Sequence, residues 1–315
     1  MTAAHLPDAP ADNWVDRFAP AGLRPWLKLA RFDRPIGTWL LMLPGWQAIA
    51  LAGAMQSRGP DLALLALVAV GALVMRGAGC AYNDIVDRDY DAKVARTAMR
   101  PIPSGQISVK QAWAYVAGLS LVGLAILLTL RPAAIALGVG SLLLVAAYPF
   151  MKRITWWPQA WLGLTFNWGA LLGFAAAAGT LSWPAGLLYA SGFFWTLGYD
   201  TIYAAQDMED DALVGVKSSA LRLGARAPAA ILVFYALSVG LALAAAAVAG
   251  LGPLFLPFAG LYALHFSWQA ARFRIDDGLG ALRLFRSNRE AGLILFVALI
   301  AGLWRHGGVL AGGLG

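Results

Sequence analysis

The sequence predicts an all-α, polytopic membrane protein with nine transmembrane helices, and three observations carry that prediction. The 315 residues are 60% hydrophobic and only 13% charged, with a mean hydropathy of +0.65. A soluble domain has about 25% charged residues. Apolar stretches long enough to cross a hydrocarbon core of about 30 Å, roughly 20 helical residues each, recur along the whole chain. The basic residues follow the connections between those stretches and do not form one patch.

Residues 1–22 carry Asp8, Asp12 and Asp16 and no apolar core, so they read as a polar tail and not as a cleaved leader. An intramembrane domain is expected over residues 23–315. Its first segment, 23–34, puts Leu23, Trp26, Leu27 and Ala30 on one helical face and Arg24, Lys28 and Arg31 on others. That pattern suits a helix lying in the membrane interface. The spans then follow at 36–54, 62–79, 111–130, 132–150, 159–178, 183–204, 227–249, 253–271 and 291–304. The last is short, so tilt or a snorkelling Arg305 is expected to complete it.

The net charge of +7 and a pI near 9.8 do not point to nucleic acid, because the charge is distributed by topology. Of the 24 Lys and Arg residues, only Arg58, Arg131 and Arg305 fall on one side of the nine spans. The positive-inside rule therefore places the N-terminus and the loops at 80–110, 151–158, 205–226 and 272–290 in the cytoplasm, with the C-terminus opposite. A single cysteine, Cys80, excludes an intrachain disulfide and a thiolate metal cluster. His5, His265 and His306 lie too far apart in sequence to resemble a ligand set.

The acids carry the functional signal. Asp84, Asp87, Asp89 and Asp91 form one window, and Asp200, Asp207, Glu209, Asp210 and Asp211 form another; together they are nine of the seventeen Asp and Glu residues. At about 100° per helical residue, Asn83, Asp84, Asp87 and Asp91 share an arc of about 100°, with Asp89 opposite. By the same count Asp200, Tyr203, Asp207, Asp210 and Asp211 cluster, and Glu209 points away. Asn83, Asp87 and Asp91 recur 120 residues later as Tyr203, Asp207 and Asp211, which predicts two four-helix repeats plus a ninth helix.

Like charges stacked on one face destabilise a helix unless cations bind there. Mg²⁺ is the expected cation, because it prefers oxygen ligands and is typically held by one or two carboxylates while it contacts a substrate phosphate. The carboxylates gathered on the two arcs are the candidate ligands. Lys93, Arg96, Arg100 and Lys217 follow the two windows and are candidates for diphosphate oxygens.

The sequence resembles the UbiA family of intramembrane aromatic prenyltransferases from Pro25 to the last helix. The resemblance rests on Arg31 to Thr38, on Asn83 to Asp91 with Arg96, Thr97, Arg100, Pro101, Pro103, Ser104 and Gly105, on Tyr148 to Gln159, and on Asp200 to Asp211 with Lys217, Ser218 and Ser219. Both family patterns, Asn-Asp-x-x-Asp-x-x-x-Asp and Tyr-x-x-x-Asp-x-x-x-Asp, are complete. The resemblance implies a helical bundle around a cavity, cytoplasmic helical caps that carry both Asp motifs, and lateral access for a lipid tail. It implies Mg²⁺-dependent transfer of a polyprenyl group from polyprenyl diphosphate to the ring carbon ortho to the hydroxyl of 4-hydroxybenzoate, as a membrane step of ubiquinone biosynthesis. The expected location is a bacterial inner membrane.

In that reading Asp84, Asp87, Asp91, Asp207 and Asp211 are the expected Mg²⁺ ligands, and Asn83, Asp200 and Tyr203 are candidates for positioning or proton transfer. Lys152 and Arg153, in the Tyr148 to Gln159 stretch, are candidates for the diphosphate. The acceptor carboxylate needs a cation in an apolar site, and Arg153, Arg34 and Arg76 are available, with Arg153 preferred and Arg34 next. The expected partners are the two substrates and the lipid bilayer, with no nucleic acid and no obligate protein. Two alternatives remain: a family member with another acceptor, and an ion-coupled transporter. A transporter would hold its ions near the bilayer midplane; here the acids fall at cytoplasmic span ends.

Overall fold

A computed structural model of the chain describes residues 13–94 and 97–304, and among these every regular element is helical. In chain order the α-helices are α1 (Trp14–Phe18), α2 (Arg24–Leu29), α3 (Ile36–Met55), α4 (Leu62–Asp91), α5 (Val109–Leu127), α6 (Pro132–Ile154) and α7 (Pro158–Ala178). They continue as α8 (Trp183–Ala204), α9 (Met208–Val214), α10 (Ser219–Leu223), α11 (Ala227–Val248), α12 (Phe255–Arg272), α13 (Gly278–Arg286) and α14 (Asn288–Ala301).

Six of the described helical segments are long and apolar enough to cross a membrane: α3, α4, α5, α6, α7 and Ser219–Val248, which runs through α10 and α11. The three other stretches expected to span are also helical, as α8, α12 and α14. The helix expected over residues 23–34 is confined to Arg24–Leu29, because Arg31 takes a φ of +59° and stops it.

Helix starts follow local chemistry. Asp61 accepts hydrogen bonds from the backbone of Ala63 and Leu64 at 2.9 and 3.1 Å, capping α4. Ser108 and Gln111 form a reciprocal capping box on α5. Proline opens α6, α7, α8 and α11, where its missing N–H costs nothing.

The helices close a ring in which α3 packs on α7, α7 on α8, α8 on α11, α11 on α12, α12 on α14, and α14 back on α3. Small residues permit the close approaches. Gly173 of α7 lies against the backbone of Gly45 in α3, where an added Cβ would force the helices apart. Buried polar groups tie the second half: Trp195 Nε1 donates to Asn288 at 2.8 Å, and Tyr235 to Gln269 at 2.6 Å. On the other side of the ring α4 packs on α3 and α5, and α6 on α7.

Candidate active site

The first acidic window stands on a helix that does not stop where its apolar run does. α4 has 30 residues, about 45 Å at 1.5 Å per residue, against a hydrocarbon core of about 30 Å. Its last turns therefore carry Asn83 to Asp91 beyond the apolar run.

Each carboxylate on the inner arc is met by a basic side chain. Asp87, with no exposed surface, accepts from Lys152 Nζ at 2.5 Å, from Arg153 Nη2 at 2.9 Å and from Asn83 Nδ2 at 3.0 Å. Lys152 and Arg153 come from the last turn of α6, where cations also suit the helix dipole. Asp91 accepts from Arg100 Nη1 at 2.8 Å. Asp84 is fully buried and accepts from Arg31 at 2.6 Å and Arg100 at 3.3 Å. Asp89 is 76% exposed and faces away, as its helical phase predicts.

The second window is built differently. α8 ends at Ala204, Ala205–Asp207 forms a 3-10 turn, and α9 begins at Met208. The register match expected from an uninterrupted helix therefore does not hold across residues 200–211, since a 3-10 turn advances about 120° per residue. Asp200, Tyr203, Asp207 and Asp211 nevertheless converge on one space, and Tyr203 packs on Phe285 of α13 with ring centroids 4.6 Å apart.

That space is a cavity of about 260 Å³ that both windows share. Asn83, Asp87 and Asp91 line it from α4, and Asp200, Tyr203, Asp207 and Asp211 from the second window. Arg100, Lys152 and Lys217 supply positive charge to the same wall. The Lys217 loop is stitched to the end of α6: its N–H donates to the Lys152 carbonyl at 2.9 Å and its Nζ to the Ile154 carbonyl at 3.2 Å.

Other sequence candidates lie elsewhere. Lys93 is exposed and does not line the cavity, and Arg96 lies outside the described residues, as do the side chains of Glu209 and Asp210. Arg34 pairs with its neighbour Asp33 at 3.1 Å. Arg153 sits behind Asp87, its guanidinium 4.6 Å from the centre of the Tyr90 ring.

Tyr148, Gln159 and Thr97 join the lining; all three belong to stretches visible in the sequence, but nothing in their residue type marked them. Arg76 is more telling. It lies two helical turns before Asn83 and donates to Cys80 Sγ, and its buried Nε has no hydrogen-bond partner among the described residues. Its guanidinium stands 5.7 Å from the Phe166 ring centre, against Gly37, where any Cβ would collide with it. Arg76 lies outside the cavity lining.

The donor set suits a hard cation, since every cavity-facing candidate ligand offers oxygen. Among the described residues no three Asp, Glu, His or Cys side chains form a ready-made cage. A cation held by one or two carboxylates and completed by phosphate and water needs none.

A family model described as the UbiA prenyltransferase family matches residues 41–304. The chain is 46% identical over 290 residues to the 4-hydroxybenzoate polyprenyltransferase, mitochondrial, of Homo sapiens, covering 91% of this chain and 78% of that one. It is 45% identical over 291 residues to the Arabidopsis thaliana protein of the same name, covering 92% and 71%. Among solved structures, the apo UbiA homolog from Aeropyrum pernix K1 superposes with a TM-score of 0.69 at 31% identity, covering 83% of this chain and 96% of that one. A UbiA homolog from Archaeoglobus fulgidus bound to GPP and Mg²⁺ has a TM-score of 0.64 at 18% identity, covering 88% and 99%, and shares the fold.

Proposed function

Because the chain belongs to the UbiA prenyltransferase family, we propose that it transfers a polyprenyl group from polyprenyl diphosphate to the ring carbon of 4-hydroxybenzoate ortho to the hydroxyl, in ubiquinone biosynthesis. The observation that carries this reading is the meeting of two acidic windows, 120 residues apart in sequence, on one cavity that also holds Arg100, Lys152 and Lys217. Diphosphate and divalent cation together match a wall of alternating carboxylates and cations; neither alone does.

The enzyme is an integral membrane protein. We read nine crossings as two four-helix repeats plus one, with the N-terminus and the cavity on the cytoplasmic side, the C-terminus opposite, in a bacterial inner membrane. The charge distribution supports that orientation. A polyprenyl tail then stays in the bilayer or the apolar bundle, which suits a group whose every buried methylene is worth about 0.8 kcal/mol.

Asp87, Asp91, Asp207 and Asp211, with Asn83, are the residues that would hold Mg²⁺. A bound cation supplies neutralisation of the charge that builds on the departing diphosphate. Arg100, Lys152 and Lys217 bind the diphosphate oxygens by charge-assisted hydrogen bonds. As the allylic C–O bond breaks, its electron pair leaves with the diphosphate, and the aromatic ring carbon supplies the pair for the new C–C bond.

The acceptor carboxylate is assigned to Arg76, which lies outside the cavity lining but is the one of the three arginine candidates that no carboxylate salt-bridges among the described residues, whereas Arg153 and Arg34 are salt-bridged to Asp87 and Asp33. Asp200 is assigned the ring proton whose loss restores aromaticity. It lines the cavity and is paired with no basic side chain among the described residues, whereas Asp87 and Asp91 are both charge-paired. The apolar bundle below excludes water from the allylic cation.

The decisive assay combines purified protein, a polyprenyl diphosphate, 4-hydroxybenzoate and Mg²⁺, with and without EDTA. Prenylated product is expected only without EDTA. Product that persists in EDTA, or that forms equally in Asp87→Ala and Asp207→Ala, would remove the two-window mechanism.

A further inference from the structure

Asp84 belongs to the first window by sequence but not by geometry. It has no exposed surface and does not line the cavity. Its Oδ1 instead bridges two guanidiniums, accepting from Arg31 Nη2 at 2.6 Å and Arg100 Nη1 at 3.3 Å. The same Arg100 nitrogen donates to Asp91 Oδ2 at 2.8 Å, and Arg100 does line the cavity. Asp84 therefore connects a side chain that faces the reaction space to one delivered from outside the bundle.

The delivery is costly to build. Arg31 has a φ of +59°, a left-handed conformation that a residue with a Cβ adopts only when its surroundings impose it. Several contacts impose it. Arg31 N donates to the Lys28 carbonyl at 3.0 Å and Phe32 N to the Leu27 carbonyl at 2.9 Å, closing the turn. Trp14 Nε1 clamps the Phe32 carbonyl at 2.8 Å from α1. Leu29 is fully buried in a cluster with Ala81 and Ile85 of α4. Gly77 of α4 leaves room for Ala30, which a Cβ there would press. Glycine would occupy this backbone at lower cost, so an arginine here points to a need for its side chain.

We propose that Asp84 and Arg31 are positioning residues for diphosphate binding: the pair holds Arg100 aimed into the cavity, and Asp84 does not ligate the cation. The proposal rests on the diphosphate reading of the cavity. The competing role is specific, since Asp84 Oδ2 is buried without a hydrogen-bond partner among the described residues and is the atom a ligand would present.

The test uses the full chain in detergent micelles and inorganic pyrophosphate as the probe. Calorimetry yields pyrophosphate affinity in excess Mg²⁺, and separately the Mg²⁺ concentration for half-maximal binding at saturating pyrophosphate. Asp84→Asn and Arg31→Gln are each expected to weaken pyrophosphate binding about tenfold, the double variant no further, and Arg31→Lys by less than either. The Mg²⁺ requirement is expected to move less than about twofold in these variants and about tenfold in Asp207→Asn.

An Asp84→Asn variant that raises the Mg²⁺ requirement as Asp207→Asn does would overturn the proposal in favour of a metal ligand. Arg31→Gln that lowers only the unfolding midpoint and leaves pyrophosphate affinity intact would overturn it in favour of a structural role. Should Asp84→Asn not fold, the Arg31→Gln and Arg31→Lys pair decides alone. Wild type that binds no pyrophosphate would instead overturn the diphosphate reading, and this inference with it.

Discussion

The two acidic windows face the same cavity from opposite kinds of backbone. The first rides the end of a continuous 30-residue helix, and its carboxylates are locked by Arg31, Arg100, Lys152 and Arg153. The second crosses a break, where α8 gives way to a 3-10 turn and then to a seven-residue helix closed by Gly215. Regular helix is affordable for the first because basic partners from α6 and from the segment after α4 offset its like-charge repulsion. The difference teaches that similar motifs need not be equal parts: one rides a continuous helix, the other a stretch that changes helix type within it.

The largest expected effect tests both windows together. Asp87→Ala and Asp207→Ala should each lower kcat by about 10²- to 10³-fold, the scale of losing one preorganised electrostatic group. They should differ in stability. Asp87 is fully buried between two cations, which its loss leaves uncompensated, whereas Asp207 is partly exposed. A lower unfolding midpoint is expected for Asp87→Ala than for Asp207→Ala, and the reverse order would break the comparison.

Next in size is Arg76→Ala. If Arg76 meets the acceptor carboxylate, the KM for 4-hydroxybenzoate should rise by about tenfold or more, the worth of one hydrogen bond to a charged group, with the KM for the donor unchanged. Phenol, which lacks the carboxylate, should be handled equally by variant and wild type. A donor KM that rises in parallel would instead place Arg76 with the diphosphate.

A smaller effect sharpens the contrast of backbones. Gly215 holds a φ of +73° at the end of α9, and its N–H bonds the Asp211 carbonyl. Gly215→Ala should cost about 1 kcal/mol of stability, because a Cβ disfavours that conformation. Hydrogen exchange should show faster opening around residues 208–216 and no change around residues 83–91.

Much of this arrangement was legible in the sequence. Acids are scarce in an apolar chain, so two windows stood out, and helical phase alone separated Asp89 from Asp87. The membrane class followed from composition, and the family from the resemblance carried by the motif residues. Three features were not legible, for physical reasons. The break at Ala205–Asp207 carries neither glycine nor proline, so nothing in residue type marks the tighter turn. The turning away of Asp84 depends on Arg31, 53 residues distant, and an arc of about 100° does not tell which neighbour meets its edge. The end of α2 depends on a left-handed arginine, which propensity disfavours.

The smallest predicted effect is the strictest check on how α4 is oriented. Asp89 sits between Asp87 and Asp91 in sequence, so proximity along the chain cannot excuse it from the chemistry. Only the helical turn does. Its side chain is 76% exposed, and its ion pair to Arg88 at 3.5 Å is a solvated surface contact. Asp89→Ala is therefore expected to leave kcat, donor KM and the Mg²⁺ requirement within about twofold of wild type, since surface pairs of this kind contribute about 0–1 kcal/mol. Loss of activity on the scale of Asp87→Ala would mean that α4 presents a different face to the cavity. The assignments of Asn83, Asp87 and Asp91, which share one helical face, would then fall together.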